Sequence, residues 1–157
     1  MADIISDGMI KVGWVTTLSS LTSPTAVQIT AGVDLESFLT QDGFSVDPST
    51  AKVDTSALNS TFSTERIGRG SATIELTFKH QGLANPPWTT FASRPTGFLV
   101  IRYGVTVATD WTAAQRVDVW SVACGDRHDV PAAANEVAKF MVQLTPTAAL
   151  SIAATVA

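Results

Sequence analysis

From Ala72 to Lys79 apolar and polar residues alternate without a break. Ile74, Leu76 and Phe78 take one parity, Thr73, Glu75, Thr77 and Lys79 the other. That is the pattern of a strand with one face on a core. The same period recurs at Ile10, Val12 and Trp14, after the Asp7-Gly8 turn signal, with Lys11 and Gly13 between. It recurs in Arg116 to Cys124, where Val117, Val119 and Ser121 alternate with Asp118, Trp120 and Val122. It recurs again in Glu136 to Leu144, where Ala138, Phe140, Val142 and Leu144 oppose Lys139 and Gln143. Gly97 to Gly104 is apolar on both faces until Arg102, as in a central strand covered on both sides. Val33 to Leu39 reads as a further strand, closed by the tight-turn dipeptide Asp42-Gly43. Beyond Pro146, Leu150, Ile152, Ala154 and Val156 alternate once more.

Helical signals are sparse. Thr25 to Ala31 can form one turn before Gly32. Pro86 to Phe91 opens on two prolines and places Trp88 and Phe91 three apart, which makes it the best candidate for a short helix on a sheet. Val105 to Ala114 reads as a turn with an exposed aromatic, Trp111, and Gly125 to Asn135 as a turn or bulged stretch. Seven or eight strands with one short flanking helix predict a mainly β fold, an antiparallel β-sandwich or small barrel.

One segment interrupts this rhythm. Thr40 to Gly70 is polar and too long for an ordinary connection. Asp47-Pro48-Ser49-Thr50 looks like a hairpin tip within it, Ser56 to Phe62 a helical turn, and Glu65 to Gly70 the lead into the next strand. Phe44, Val46, Val53, Phe62 and Ile67 give it apolar anchors, so the pattern favours an extension that orders against a partner. The expected organisation is one domain, residues 1–157, with a long polar loop at about 40–70 and a C-terminal arm at about 146–157 apolar enough to pair with something.

Composition sharpens this. Of 157 residues only 15% are charged, against roughly 25% in an average globular domain. A surface so poor in charge suits a subunit whose flanks are covered by neighbours. A net charge of −4 argues against a protein that grips nucleic acid by its phosphates. The N-terminal residues Met1 to Asp7 have neither the basic start nor the apolar run of a secretory signal, and no stretch approaches a membrane span. No cofactor is expected.

Chemistry is hard to find. Cys124 is the only cysteine and shares a parity with Trp120 and Val122, the pattern of a buried thiol. His80 and His128 are the only histidines; Asp126, His128 and Asp129 beside Arg127 read as a solvated turn rather than a metal site. Gly68-Arg69-Gly70 lacks the lysine and helix of a phosphate loop. Arg66 and Arg69 suit contact with an acidic neighbour better than nucleic acid. Trp14, Trp88, Trp111 and Trp120 could line a sugar-binding face, but such residues are more often core or interface anchors.

Several tracts carry a family resemblance: Gly8-Met9-Ile10-Lys11-Val12-Gly13-Trp14-Val15, Thr30-Ala31-Gly32-Val33-Asp34-Leu35, the stretch from Asp42-Gly43-Phe44 to Val53-Asp54-Thr55-Ser56, Gly97-Phe98-Leu99-Val100-Ile101-Arg102, and Pro131 to Phe140. In these the chain resembles the major tail tube proteins of long, non-contractile-tailed bacteriophages, particularly those of actinobacterial hosts. The resemblance implies a structural virion protein, made in the host cytoplasm, whose hexameric rings stack into a hollow tail tube that conducts genome DNA into the host. It implies as partners further copies of the chain, a tape measure protein, tail tip and terminator proteins, and DNA that passes without specific binding; no membrane is involved. Candidate lumen residues are Glu75, Asp118 and Glu136, since an acidic wall would repel phosphates. Candidate inter-subunit and inter-ring residues are Phe44, Val46, Val53, Phe62, Arg66, Ile67, Arg69, Leu150, Ile152 and Val156. Two rival expectations are a carbohydrate-binding or adhesion β-sandwich using Trp88 and Trp111, and a small β-barrel hydrolase with a pocket around His80 or His128.

Overall fold

The computed structural model describes residues 6–157. The chain forms β1 (Ile10–Val15), α1 (Ala26–Thr30), β2 (Val33–Asp34), β3 (Leu39–Asp54), β4 (Glu65–Lys79), α2 (Pro86–Thr90), β5 (Thr96–Tyr103), β6 (Arg116–Asp129), β7 (Lys139–Pro146) and β8 (Ser151–Thr155). All strand pairs are antiparallel, in the order β2-β1-β5-β6-β7-β4-β3, with β8 on the first half of β6. The mainly β antiparallel class expected from the pattern is what the chain adopts, with two short helices rather than one.

The sheet curls. Val12 and Trp14 of β1 share one buried cluster with Ile74, Leu76 and Phe78 of β4, although the two strands stand near opposite ends of the sheet order. Phe91, just past α2, closes the curl. Its ring lies 5.2 Å from Trp14 and 5.6 Å from Phe78, and Phe78 in turn stacks on Phe140 at 5.2 Å. Gly97 makes this possible, because a Cβ there would stand 2.6 Å from the Trp14 ring.

The outer face is covered over β1, β5 and the start of β6 only. There Val15, Val100, Val117 and Val119 pack with Ile29 of α1, Trp111, and Ala154 and Val156 of the C-terminal strand. The α1 turn forms where expected, because Thr25 and Gln28 cap it reciprocally. Trp111, expected to be exposed, is 5% accessible. Its Nε1–H donates to Asp34 Oδ1 at 3.0 Å, and Lys11 Nζ lies 3.1 Å from the other oxygen of that carboxylate. Beneath it Arg102 is wholly buried and donates to the carbonyls of Thr106, Thr109 and Asp110 and to Gln115 Oε1, all within 3.1 Å. Burial pushes its guanidinium down, with nearby acids opposing. These bonds hold the β5–β6 loop against the second layer, so residues read as a surface turn are part of the core.

Several expected boundaries move. The strand beginning at Val33 stops at Asp34, because the chain turns through Leu35, whose N–H donates to Val12 O while its carbonyl accepts from Phe38 and Leu39. Asp42-Gly43 is no turn. It lies inside β3, where the register slips between Leu39 and Phe44, and a Cβ on Gly43 would stand 2.4 Å from the Thr77 carbonyl. Pro48 is likewise inside β3, opposite Ala72, which an edge strand tolerates because its outer N–H side pairs with nothing. The stretch after Cys124 is a bulge that β6 crosses before running on to Asp129, and β7 begins at Lys139 rather than at Glu136.

Candidate functional site

The long polar segment is a ladder, not a loop. β3 and β4 stay paired from Phe44/Leu76 out to Asp54/Glu65. Residues Asp47–Asp54 carry the arm about 25 Å beyond the core at a strand's rise per residue. From residue 47 to residue 71 every side chain is exposed, Gly68 being the one half-buried position.

The reversal lies at residues 55–64. Side-chain bonds shape it rather than the helical turn expected there: Ser56 N donates to Asp54 Oδ1 at 2.8 Å, Thr64 N to Ser56 Oγ at 3.0 Å, and the Thr55 and Thr64 hydroxyls meet at 3.1 Å. The Ser56 bonds hold the Asp54 carboxyl below its ordinary value.

The arm is the candidate site because of what it exposes. Phe62 is 77% accessible and Ile67 86%, Leu58 is fully exposed, and Val53 is about half exposed. Leu58 went unnoticed in the sequence, where it looks like one apolar residue in a Ser/Thr run. A two-stranded ribbon is marginal in water by itself, and this one carries its apolar residues in the open. The far side of β3 pairs with no strand among the described residues, so the arm also offers an open hydrogen-bonding edge.

A second surface lies on the body. Over β3, β4 and β7 the outer face of the sheet is uncovered. Ser45, Glu75 and Gln143 stand in one cross-strand row, with Asp47 and Thr73 on one side of it and Thr77 and Met141 on the other. Lys79 and Lys139 end the face. It is rich in hydroxyl and amide groups and nearly balanced in charge.

The three acidic lumen candidates do not all share this face: Glu136 reaches only its end, through Lys139, and Asp118 lies off it. Glu75 is on it. Asp118 stands opposite the core residue Ile101, and its Oδ1 accepts from Ala153 N at 2.9 Å. Glu136 precedes β7 and is ion-paired with Lys139 at 3.0 Å. Strand parity ties residues of one strand, but it cannot align Asp118 with Glu75 across a sheet whose register slips.

The contact candidates divide too. Val53, Phe62, Arg66, Ile67 and Arg69 are exposed on the arm. Phe44 and Val46 are half-buried against the core cluster and root the arm. Val156 is 1% accessible, and Leu150 packs partly on the core, so the C-terminal segment is largely bound to its own chain. Ile152 alone points out, because Ala153 is left-handed at φ 59° and breaks the alternation.

Enzymatic rivals find no assembled chemistry. His80 Nε2 lies 2.8 Å from Asp129 Oδ1 and its ring packs on Trp88 and Phe140, whereas His128 stands opposite Met141 on the open face. Asp126, expected in a solvated turn, grips Arg94 with both oxygens at 2.5 and 2.7 Å, and Arg127 stacks on Trp88 at 3.8 Å. Cys124 is buried and its thiol is pushed up to about 12 by burial. Among the described residues no His, Cys, Asp and Glu side chains gather into a metal-sized group. Trp14, Trp111 and Trp120 are buried and Trp88 is sandwiched between His80 and Phe140, so the tryptophans expected to line a sugar site are engaged in the subunit's own packing.

Known proteins supply a second kind of observation. A sequence profile described as phage tail tube protein matches residues 1–157. No curated protein matches. Among solved structures the chain is similar to one in the six-fold symmetrised baseplate of the anti-feeding prophage, with 7% identity, 96% of each chain covered and a TM-score of 0.61. It is similar to one in the tail of an empty gene transfer agent particle refined with C6 helical symmetry, with 14% identity, 94% of this chain and 96% of that chain covered and a TM-score of 0.52. It is also similar to one in the virion of a native gene transfer agent particle, with 13% identity, 80% and 91% coverage and a TM-score of 0.51. At such identities the likeness is one of fold.

Proposed function

This chain belongs to the phage tail tube protein family, and from that premise we propose that it is a non-enzymatic building block whose copies close into six-membered rings that stack as a tube. The tube conducts genome DNA from the virion of a long, non-contractile-tailed phage into the host. The chain would be made in the host cytoplasm and would meet a tape measure protein inside the tube and tip and terminator proteins at its ends.

The observation that carries this reading is the arm. An exposed ribbon with apolar residues on both faces, ending in an open edge, is stable only when another surface covers it. A contact between such an arm and a different surface of the next copy is heterologous, and a heterologous contact makes rings where it closes and stacks where it does not. Six-fold symmetry in the assemblies that hold chains of the same fold supports the ring size.

The open face of β3, β4 and β7 is the wall we assign to the passage; it keeps Glu75 and leaves out Asp118. Hydroxyl and amide groups with near-balanced charge give phosphates nothing to bind tightly, so DNA slides. Purified protein should form rings or tubes by negative-stain microscopy. Replacing residues 49–71 by an Asn-Gly turn should leave the body folded, by circular dichroism and thermal melt, and abolish tubes. Tubes of normal length from that variant would overturn the reading.

A further inference from the structure

Glu36 sits in the turn between β2 and β3, beside the seam where the two ends of the curled sheet face each other. The cleft there holds about 290 Å³ and is lined by Ile10, Val12, Leu39 and Phe44 together with the polar Asp7, Thr40 and Gln41. Glu36 Oε2 is buried and has no hydrogen-bond partner. A buried carboxylate oxygen without a partner is costly, and either a proton or a paired cation relieves the cost. Burial pushes the Glu36 carboxyl up, backbone N–H groups of Glu36 and Val12 and the charge of Lys11 oppose the rise, and the neighbouring Asp34 adds to it. Lys11 does not supply the missing contact, since its ammonium is engaged by Asp34.

Four cations of the described residues make neither an ion pair nor a hydrogen bond: Arg66, Arg69, Lys79 and Arg116. Two of them lie together on the arm. Thr50 opposes Gly70 and Lys52 opposes Ile67, so Ala51 faces two residues of β4 rather than one. That bulge puts Arg66 and Arg69 on the same side of the ribbon, with Val53 directly across from Arg66. The arm therefore presents two arginines around an apolar residue, and the seam presents a carboxylate with one unpartnered oxygen beside apolar residues.

The arm cannot fill its own cleft. Phe44 lines the cleft, and Val53 lies nine residues further along the same paired strand, about 30 Å away. We propose that the seam cleft is the socket for the arm of a second copy, with that copy's Arg66 and Arg69 set against Glu36 and Val53 against Ile10 and Phe44. The proposal rests on the self-assembly reading above and adds the two surfaces that recognise each other.

The test is made on assembling full-length protein. Glu36→Gln, and separately Arg66→Ser with Arg69→Ser, should raise the concentration needed for tube formation by about tenfold, as the loss of one charge-assisted contact implies. Glu36→Arg should block assembly, and adding Arg66→Glu and Arg69→Glu to the same chain should restore it. Because Glu36→Arg can fail by misfolding, a second measurement is independent of it. A chain with Gln41→Cys and Arg69→Cys should give a ladder of interchain disulfides when tubes are oxidised and none as free subunits, Cys124 staying silent in the core. Normal tubes from the neutral variants, or oxidised tubes without a ladder, overturn the socket while leaving assembly intact. Wild-type protein that stays single-copy when concentrated and seeded with tails overturns assembly and the socket together.

Discussion

Strands β3 and β4 form one antiparallel ladder that passes through two environments. In its inner half Ile74, Leu76 and Phe78 are fully buried and Phe44 and Val46 lean on the same core. In its outer half the hydrogen bonding continues, but the apolar residues Val53 and Ile67 face water. The backbone is the same in both halves; what differs is the presence of β7 and the core beneath. Ladder hydrogen bonds alone decide little of the stability, since they replace bonds to water, and buried apolar area decides most of it. The inner half belongs to the folded core, and the outer half carries its apolar residues with no core beneath them.

The sharpest way to break this contrast is to truncate each half. Phe140→Ala removes a ring buried at 0% accessibility, stacked on Phe78 and set edge-on to Trp88 at 4.9 Å. It should cost about 3–5 kcal/mol in denaturant unfolding of the subunit; a loss well under 1 kcal/mol would mean the inner half is not the core.

Glu36→Gln probes the border between the halves with a smaller effect. Its carboxyl is raised in the fold by burial, so the folded state favours the proton. That contribution is present below the ordinary carboxyl value and is lost as pH rises through the raised one. The free subunit carrying Gln should therefore be more stable than wild type near pH 7, with the gain fading on acidification. A gain independent of pH would assign the effect to packing. The same variant should assemble less well, because the subunit's orphaned charge is what the proposed socket uses.

Ile67→Ser should have the least effect on the subunit, within about 0.5 kcal/mol, as for any surface position. It should nevertheless slow tube growth measurably by light scattering. A large loss of subunit stability would show that the arm folds back on its own body.

How much of this was legible in the chain varies by segment. The strands at Ala72 to Lys79 and Arg116 to Cys124 were legible from a clean period and Gly97 to Gly104 from its apolar run, although β4 starts at Glu65 and β6 runs on to Asp129. The short helix at Pro86 to Phe91 read correctly from its prolines and aromatic spacing. The arm was legible as a segment without a core of its own, yet its architecture was not. Pro48 and Asp42-Gly43 are strong turn signals in water, and here an unpaired edge and a tight bulge use the same residues inside a strand. Arg102 looked like the polar end of its strand and Lys11 like a residue on the unburied side of β1, because sequence gives the parity of a side chain but not what lies over that face.

The sequence by itself determined which residues share a side of each strand, that the class is antiparallel β, and that one stretch has too little apolar content to bury itself. These are local properties, set by the two-residue period and by composition. Only the tertiary structure decided which face is roofed by α1, Trp111 and the C-terminal strand. It alone decided that Asp118 stands apart from Glu75, and that a curled sheet leaves a seam with an unpartnered carboxylate oxygen in it. Those outcomes depend on register and curvature, which a bulge of one residue shifts for every position beyond it.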